Sequence, residues 1–221
     1  MRTIVAFSGG KDSYLTLMRA LGDKAEVSGL LYLDGGKKHF GFFNDFRNPR
    51  LIRDLAAGMG LRPYVQKVSD FGDEASLIGR ALRAVPVKAG KTGAFYIGLS
   101  GPSGGRGAFP EKVRGTPCVY PLLGVSPADA FREALRSGLE MLITGVVGRE
   151  ARGFLGKRAG GAFMNYLEEQ EKRGADPDNF DFQTLVLRGP LLKRGLKVLK
   201  SRPVETPGGE RHLEVLEWKL G

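Results

Sequence analysis

The chain has 221 residues, enough for one large domain or a main domain with a smaller companion, and its 42% apolar and 26% charged residues exclude a disordered or collagen-like chain. Its longest apolar stretch, around Met141–Val147, is far short of the ~20 residues of a membrane-spanning helix, and no apolar leader precedes the Ser8-Gly9-Gly10 turn, so a cytoplasmic protein with no membrane partner is expected. The net charge is +10, of which +8 falls in residues 1–124 and +2 in residues 125–221, so the first half is expected to face something anionic: nucleotide phosphate, RNA or an acidic protein surface.

Taken in order, Thr3–Phe7 is a short apolar strand closed by Ser8-Gly9-Gly10. Tyr14, Leu15, Leu17, Met18 and Leu21 then recur at helical spacing. Val27–Leu33 reads as a buried strand, and Leu51, Ile52, Leu55 and Met59 form the stripe of a helix that begins at Pro49 and ends at Gly60. Pro63–Val68 is a third strand. A helix over Asp73–Ala84 leads to a fourth at Ala94–Gly98, and Cys118–Tyr120 is a fifth. Residues 90–107 hold seven glycines, a loop in the position of a lid at the carboxyl end of a strand or else a plain surface insertion. Ser126-Pro127 opens a helix that Gly138 stops. Met141–Val147 is a strand, Phe163–Lys172 a helix, and Phe182–Leu187, Leu196–Leu199 and Leu213–Trp218 alternate like a small antiparallel sheet.

Strands alternating with helices imply an α/β fold, a doubly wound parallel sheet, followed by a smaller α+β unit. A boundary near Leu123–Ser126 divides residues 1–124 from 125–221.

The six residues Ser8-Gly9-Gly10-Lys11-Asp12-Ser13, set between first strand and first helix, form an anion cradle. Glycines let the backbone approach a ligand, successive N–H groups at a helix start point at phosphate oxygens, Ser8 and Ser13 add hydroxyls, and Lys11 adds a charge. Asp12 is compatible with phosphates if Mg²⁺ lies between, or if it bonds a backbone N–H. A bare Gly-Gly is more often only a turn; here the whole string matches the SGGxDS signature and resembles the PP-loop ATP pyrophosphatase superfamily. It is not a Walker A loop, which would need glycine where Val5 stands, and Gly90-Lys91-Thr92 fails the same test at Val85.

Further stretches resemble the diphthine–ammonia ligase family of that superfamily. They are Phe42-Phe43-Asn44, Pro49-Arg50-Leu51-Ile52 through Met59-Gly60-Leu61-Arg62-Pro63, and Tyr120-Pro121-Leu122-Leu123-Gly124. Leu155-Gly156-Lys157-Arg158, Gly174-Ala175-Asp176-Pro177, Phe182-Gln183-Thr184 and Gly189-Pro190-Leu191 follow in the same order. The resemblance implies an adenine nucleotide alpha hydrolase-like fold. It also implies an AMP-forming ligase that uses ATP, Mg²⁺ and ammonia to amidate a modified histidine of translation elongation factor 2.

On that reading ATP lies on Ser8, Gly9, Gly10, Lys11, Asp12 and Ser13, with adenine near Leu31, Tyr32 and Leu33. Asp12 serves the metal, and Lys11, Asp12, Asp178 and Asp181 serve catalysis, the last two standing where the family's GExGE[YF]xT run has glutamates. Three departures are visible: that run has lost its glycines, the family's Asp after Gly98 is Leu99, and a family histidine is Asn44.

Lone Cys118 excludes an internal disulfide and, with only two histidines, a structural zinc site is not expected. A single cysteine also disfavours sulfur transfer, which bears on the first alternative, a tRNA-modifying PP-loop enzyme. The second is a nucleotide-binding module that has lost catalysis. Cys118 reads as a buried small hydrophobe, His39 and His212 as ordinary surface histidines, and Arg47, Arg50 and Arg53 as an exposed helix face.

Overall fold

A computed structural model describes residues 2–34, 49–67, 83, 92–100, 110–113, 115–175, 182–205 and 209–221. All of the expected helix over 73–84 but residue 83, most of the glycine-rich segment, His39, Asn44, Arg47, Asp176, Asp178 and Asp181 lie outside the described residues.

The first half builds β1 (Arg2–Ala6), α1 (Lys11–Gly22), β2 (Glu26–Asp34), α2 (Pro49–Gly58), β3 (Pro63–Lys67) and β4 (Thr92–Tyr96). A two-residue β5 (Lys112–Val113) and β6 (Thr116–Val119) complete a six-stranded sheet in the order β3-β2-β1-β4-β6-β5. All its pairings are parallel except β5 with β6. In β1 the side chains alternate between two apolar clusters, Val5 on the side of α1 and α2, Ile4 and Ala6 on the other, so the strand reads as a continuous apolar run.

The second half contains α3 (Pro127–Arg136), β7 (Glu140–Val146), a 3₁₀ turn (Glu150–Phe154), α4 (Gly161–Lys172), β8 (Phe182–Arg188), β9 (Leu196–Glu205) and β10 (Arg211–Leu220). The start of α3 follows its local chemistry: the Ser126 hydroxyl accepts from the Asp129 N–H at 3.1 Å, Pro127 occupies the first turn, and Gly138 beyond its end has φ +75°. The four strands form a separate antiparallel sheet, β8-β7-β10-β9. The expected α/β class with a largely parallel sheet and a smaller α+β part is what the chain adopts.

One apolar core passes through both halves. Val5, Phe7, Tyr14 and Leu17 share it with Phe131, Ile143, Leu185 and Val215. Polar links reinforce it: Arg19 on α1 pairs with Glu133 on α3 at 2.6 Å, and the Trp218 indole on β10 donates to Asp54 on α2 at 2.8 Å. Among described residues no helix is long and apolar enough to cross a membrane.

Two single-residue expectations fail. His212 is only 4% exposed, because it lies in the buried stretch of β10 that runs from His212 to Val215, and its Nε2 lies 3.6 Å from the Glu210 carboxylate. Cys118 is half-buried rather than buried, since it packs beside Tyr120 against the smaller apolar cluster near the sheet edge. Burial still pushes its thiol upward, away from the reactive thiolate.

Candidate functional site

The strand order reverses between β1 and β4, since the chain builds outward from β1 to β3 and then returns to β4 on the other side. Open α/β sheets bind ligands at such a point, outside the carboxyl ends of the strands. Residues 8–13 leave β1 there. Gly9 has φ +80°, a left-handed conformation that costs a side-chain-bearing residue about 1–2 kcal/mol. Gly10 is the extended N-cap of α1 and supplies no side-chain acceptor. The amides of Asp12 and Ser13, in the first turn, are therefore turned toward whatever sits before the helix.

The side chains converge on the same point. Lys11 is 4% exposed, and its Nζ donates to both Asp12 carboxylate oxygens at 2.8 and 2.7 Å. The same ammonium stands 4.8 Å from the centroid of the Phe182 ring. Ser13 Oγ donates to the Gly10 carbonyl at 2.9 Å, and Ser8 Oγ lies 3.4 Å from Ser13 Oγ. Lys11 and Asp12 thus form an ion pair within the loop.

The second sheet holds this loop from behind. The Val186 N–H donates to the Gly9 carbonyl at 2.9 Å, and the Lys11 N–H donates to Thr184 Oγ1 at 3.0 Å. Phe182 is fixed in turn by edge-on contacts with Phe131 and Phe163, centroids 5.7 and 4.9 Å away. One turn along α1, the Tyr14 hydroxyl accepts from the Leu191 N–H at 2.9 Å. Burial drives the Tyr14 phenol upward, so it stays protonated.

Thr184, Phe182 and Val186 had no role assigned from sequence, although Phe182-Gln183-Thr184 is part of the run that resembles the ligase family. Gly98 is a further such residue. A Cβ built there would lie 2.7 Å from both the Asp12 carbonyl and Thr16 Oγ1, so only glycine lets the end of β4 touch the first turn of α1.

Leu31, Tyr32 and Leu33 stand at the carboxyl end of β2, one strand from the loop, each 3% exposed or less. Leu31 and Leu33 pack in the smaller cluster and Tyr32 in the main core, while the Leu31 carbonyl accepts from the Phe7 N–H at 2.7 Å. Their side chains are thus occupied, and a base lying there would meet backbone. Leu99, where the resembled family carries an acid, is 3% exposed within the smaller cluster.

Among described residues no group of three or more His, Cys, Asp or Glu side chains could hold a metal alone. Asp12, with 28% of its side chain exposed, is a single carboxylate at the cradle. That suits Mg²⁺, which is commonly held by one or two carboxylates, waters and the phosphates of a substrate.

No protein-family model matches the chain, and no curated protein matches it. Among solved structures it is similar to one described as a predicted subunit of tRNA methyltransferase from Methanocaldococcus jannaschii, at 16% identity over 86% of this chain and 98% of that one, with a TM-score of 0.40.

Proposed function

We propose that the protein is an ATP-dependent, AMP-forming ligase that makes an amide from a carboxylate and ammonia, with diphthine on elongation factor 2 as the acceptor. The observation that carries the nucleotide part is the cradle itself. A left-handed Gly9, a helix start whose N-cap glycine brings no side chain, and a buried lysine meet at the reversal point of a parallel sheet. The acceptor rests on the sequence resemblance.

In such a reaction an acceptor oxygen joins the α-phosphorus of ATP, pyrophosphate leaves, and ammonia then displaces AMP. The Asp12 and Ser13 amides and the Ser8 and Ser13 hydroxyls would hold the departing phosphates. Lys11, released from Asp12, would place its charge on them, and Asp12 would become free to ligate Mg²⁺. Phe182 lines the ammonium's other side, so the charge is strengthened by partial exclusion of water. Asp178 and Asp181 are proposed to orient ammonia or the metal from the segment that precedes β8.

The experiment is incubation with Mg-ATP, ammonium and elongation factor 2 carrying diphthine. AMP formed in proportion to the carboxylate-to-amide mass change supports the full reading. AMP without amide would replace the acceptor and keep the chemistry, and ADP in place of AMP would overturn both. The rival tRNA-modifying reading draws on the +8 charge of residues 1–124 and predicts tRNA binding that weakens steeply with salt.

A further inference from the structure

A second concave site lies outside the cradle, at the open end of the antiparallel sheet. β10 pairs with β7 only at Arg211 and His212, after which residues 156–159 take its place beside β7, with Gly156 N–H donating to the Ile143 carbonyl at 2.9 Å. The β9–β10 hairpin therefore separates from β7. Its far end is closed by the Gly221 N–H donating to the Gly195 carbonyl at 3.0 Å, and Gly195 lies against Leu187 and Arg188 of β8. A groove of ≈ 600 Å³ is left between them, within the range of small-molecule sites.

Its chemistry is divided. Leu142, Leu187, Leu196 and Val198 supply an apolar floor. At the mouth, Glu140 and Arg188 oppose each other across β7 and β8, Nη1 and Oε1 3.8 Å apart, and Arg158 donates to the other Glu140 oxygen at 2.6 Å. One carboxylate thus serves two guanidiniums whose side chains are 72% and 65% exposed, leaving donors directed at solvent.

Arg188 lies against Gly195, in the groove's lining, where an added Cβ would stand 3.3 Å from its Nε.

We propose that this groove binds a small organic anion, a carboxylate or phosphate head on a short apolar body. The head lies on the Arg188 and Arg158 guanidiniums, and the body covers the leucine and valine floor. The site is separate from the nucleotide cradle and its test needs no ATP.

The test is titration calorimetry of the full chain with octanoate, octyl phosphate, octan-1-ol and inorganic phosphate. Saturable binding below about 1 mM is expected for one or both amphiphilic anions, at least ~10-fold tighter than octanol or phosphate alone. Preference between the two assigns the head as carboxylate or phosphate. Arg188→Glu, an exposed change that leaves the core intact, should weaken binding by more than ~10-fold, and Glu140→Gln should tighten it several-fold by removing the competing carboxylate. Octanol binding as well as octanoate, phosphate alone binding equally, unchanged affinity in Arg188→Glu, or no saturable binding would each overturn the proposal.

Discussion

Lys11 and Asp12 are adjacent in sequence and mutually paired, so each variant tests a different half of the site. Lys11→Ala removes the charge that would follow the phosphates, and a loss of AMP formation of about 10²–10³-fold is expected, the scale of removing one preorganised electrostatic donor. Circular dichroism should remain native, because Lys11 lies at a helix start and not in the apolar core. Asp12→Asn should instead raise the Mg²⁺ concentration needed for half-maximal turnover. A wild-type rate in Lys11→Ala would remove the lysine from the chemistry.

Thr184 acts on the same loop from the other sheet. Thr184→Val leaves the buried Lys11 N–H without its acceptor, at a cost of about 1–3 kcal/mol, and should raise the KM for ATP more than it lowers kcat. Thr184→Ser keeps the hydroxyl and should restore the KM. Equal behaviour of the serine and valine variants would mean the hydroxyl does not position the loop.

At the scale of elements, much was legible in sequence. Gly9-Gly10 after an apolar run announces a turn because no other residue accepts φ +80° cheaply, and Ser126-Pro127 announces a helix because hydroxyl and ring both suit a first turn. The short β5 escaped, since two residues, Lys112 and Val113, carry no periodicity. So did the true length of β9, whose Lys200, Ser201, Arg202 and Pro203 are exposed and are held by the ladder to β10 rather than by burial.

The partners of the cradle were unreadable for a different reason. Lys11 and Thr184 are separated by 173 positions, and no local pattern encodes which strand packs behind a loop. The same holds for His212, where alternation along β10 gives its face but not what covers that face.

Four tyrosines predict pH behaviour. Tyr14, Tyr96, Tyr120 and Tyr166 all have phenols raised above 10.0, each first by burial. A group whose folded value exceeds its unfolded one gives full stability below the unfolded value and loses it as pH climbs through the folded one. Stability should therefore be flat below pH 10 on account of these groups and fall above it, as denaturant titrations across the alkaline range would measure. Absorbance at alkaline pH should show these four phenols ionising above the range of free tyrosine.

For the whole molecule, the decisive feature is one core shared by two sheets. Phe7 and Tyr14 in the first half pack in the same cluster as Ile143 and Leu185 in the second, and the Trp218–Asp54 bond closes the far side. Unfolding should be a single transition, with Trp218 fluorescence and circular dichroism coinciding. Two separated transitions would show that the halves are independently stable.

The shared core also explains how the site works as a unit: the parallel sheet presents the loop, and the antiparallel sheet fixes its backbone through Val186 and Thr184. The most direct measurement of this account is calorimetric titration with Mg-ATP, pyrophosphate and AMP, on the wild type and Lys11→Ala. Tight ATP binding, competition by pyrophosphate, weak AMP binding and loss of the first two in the variant are predicted. AMP binding as tightly as ATP, or pyrophosphate failing to compete, would contradict a cradle built for the departing phosphates.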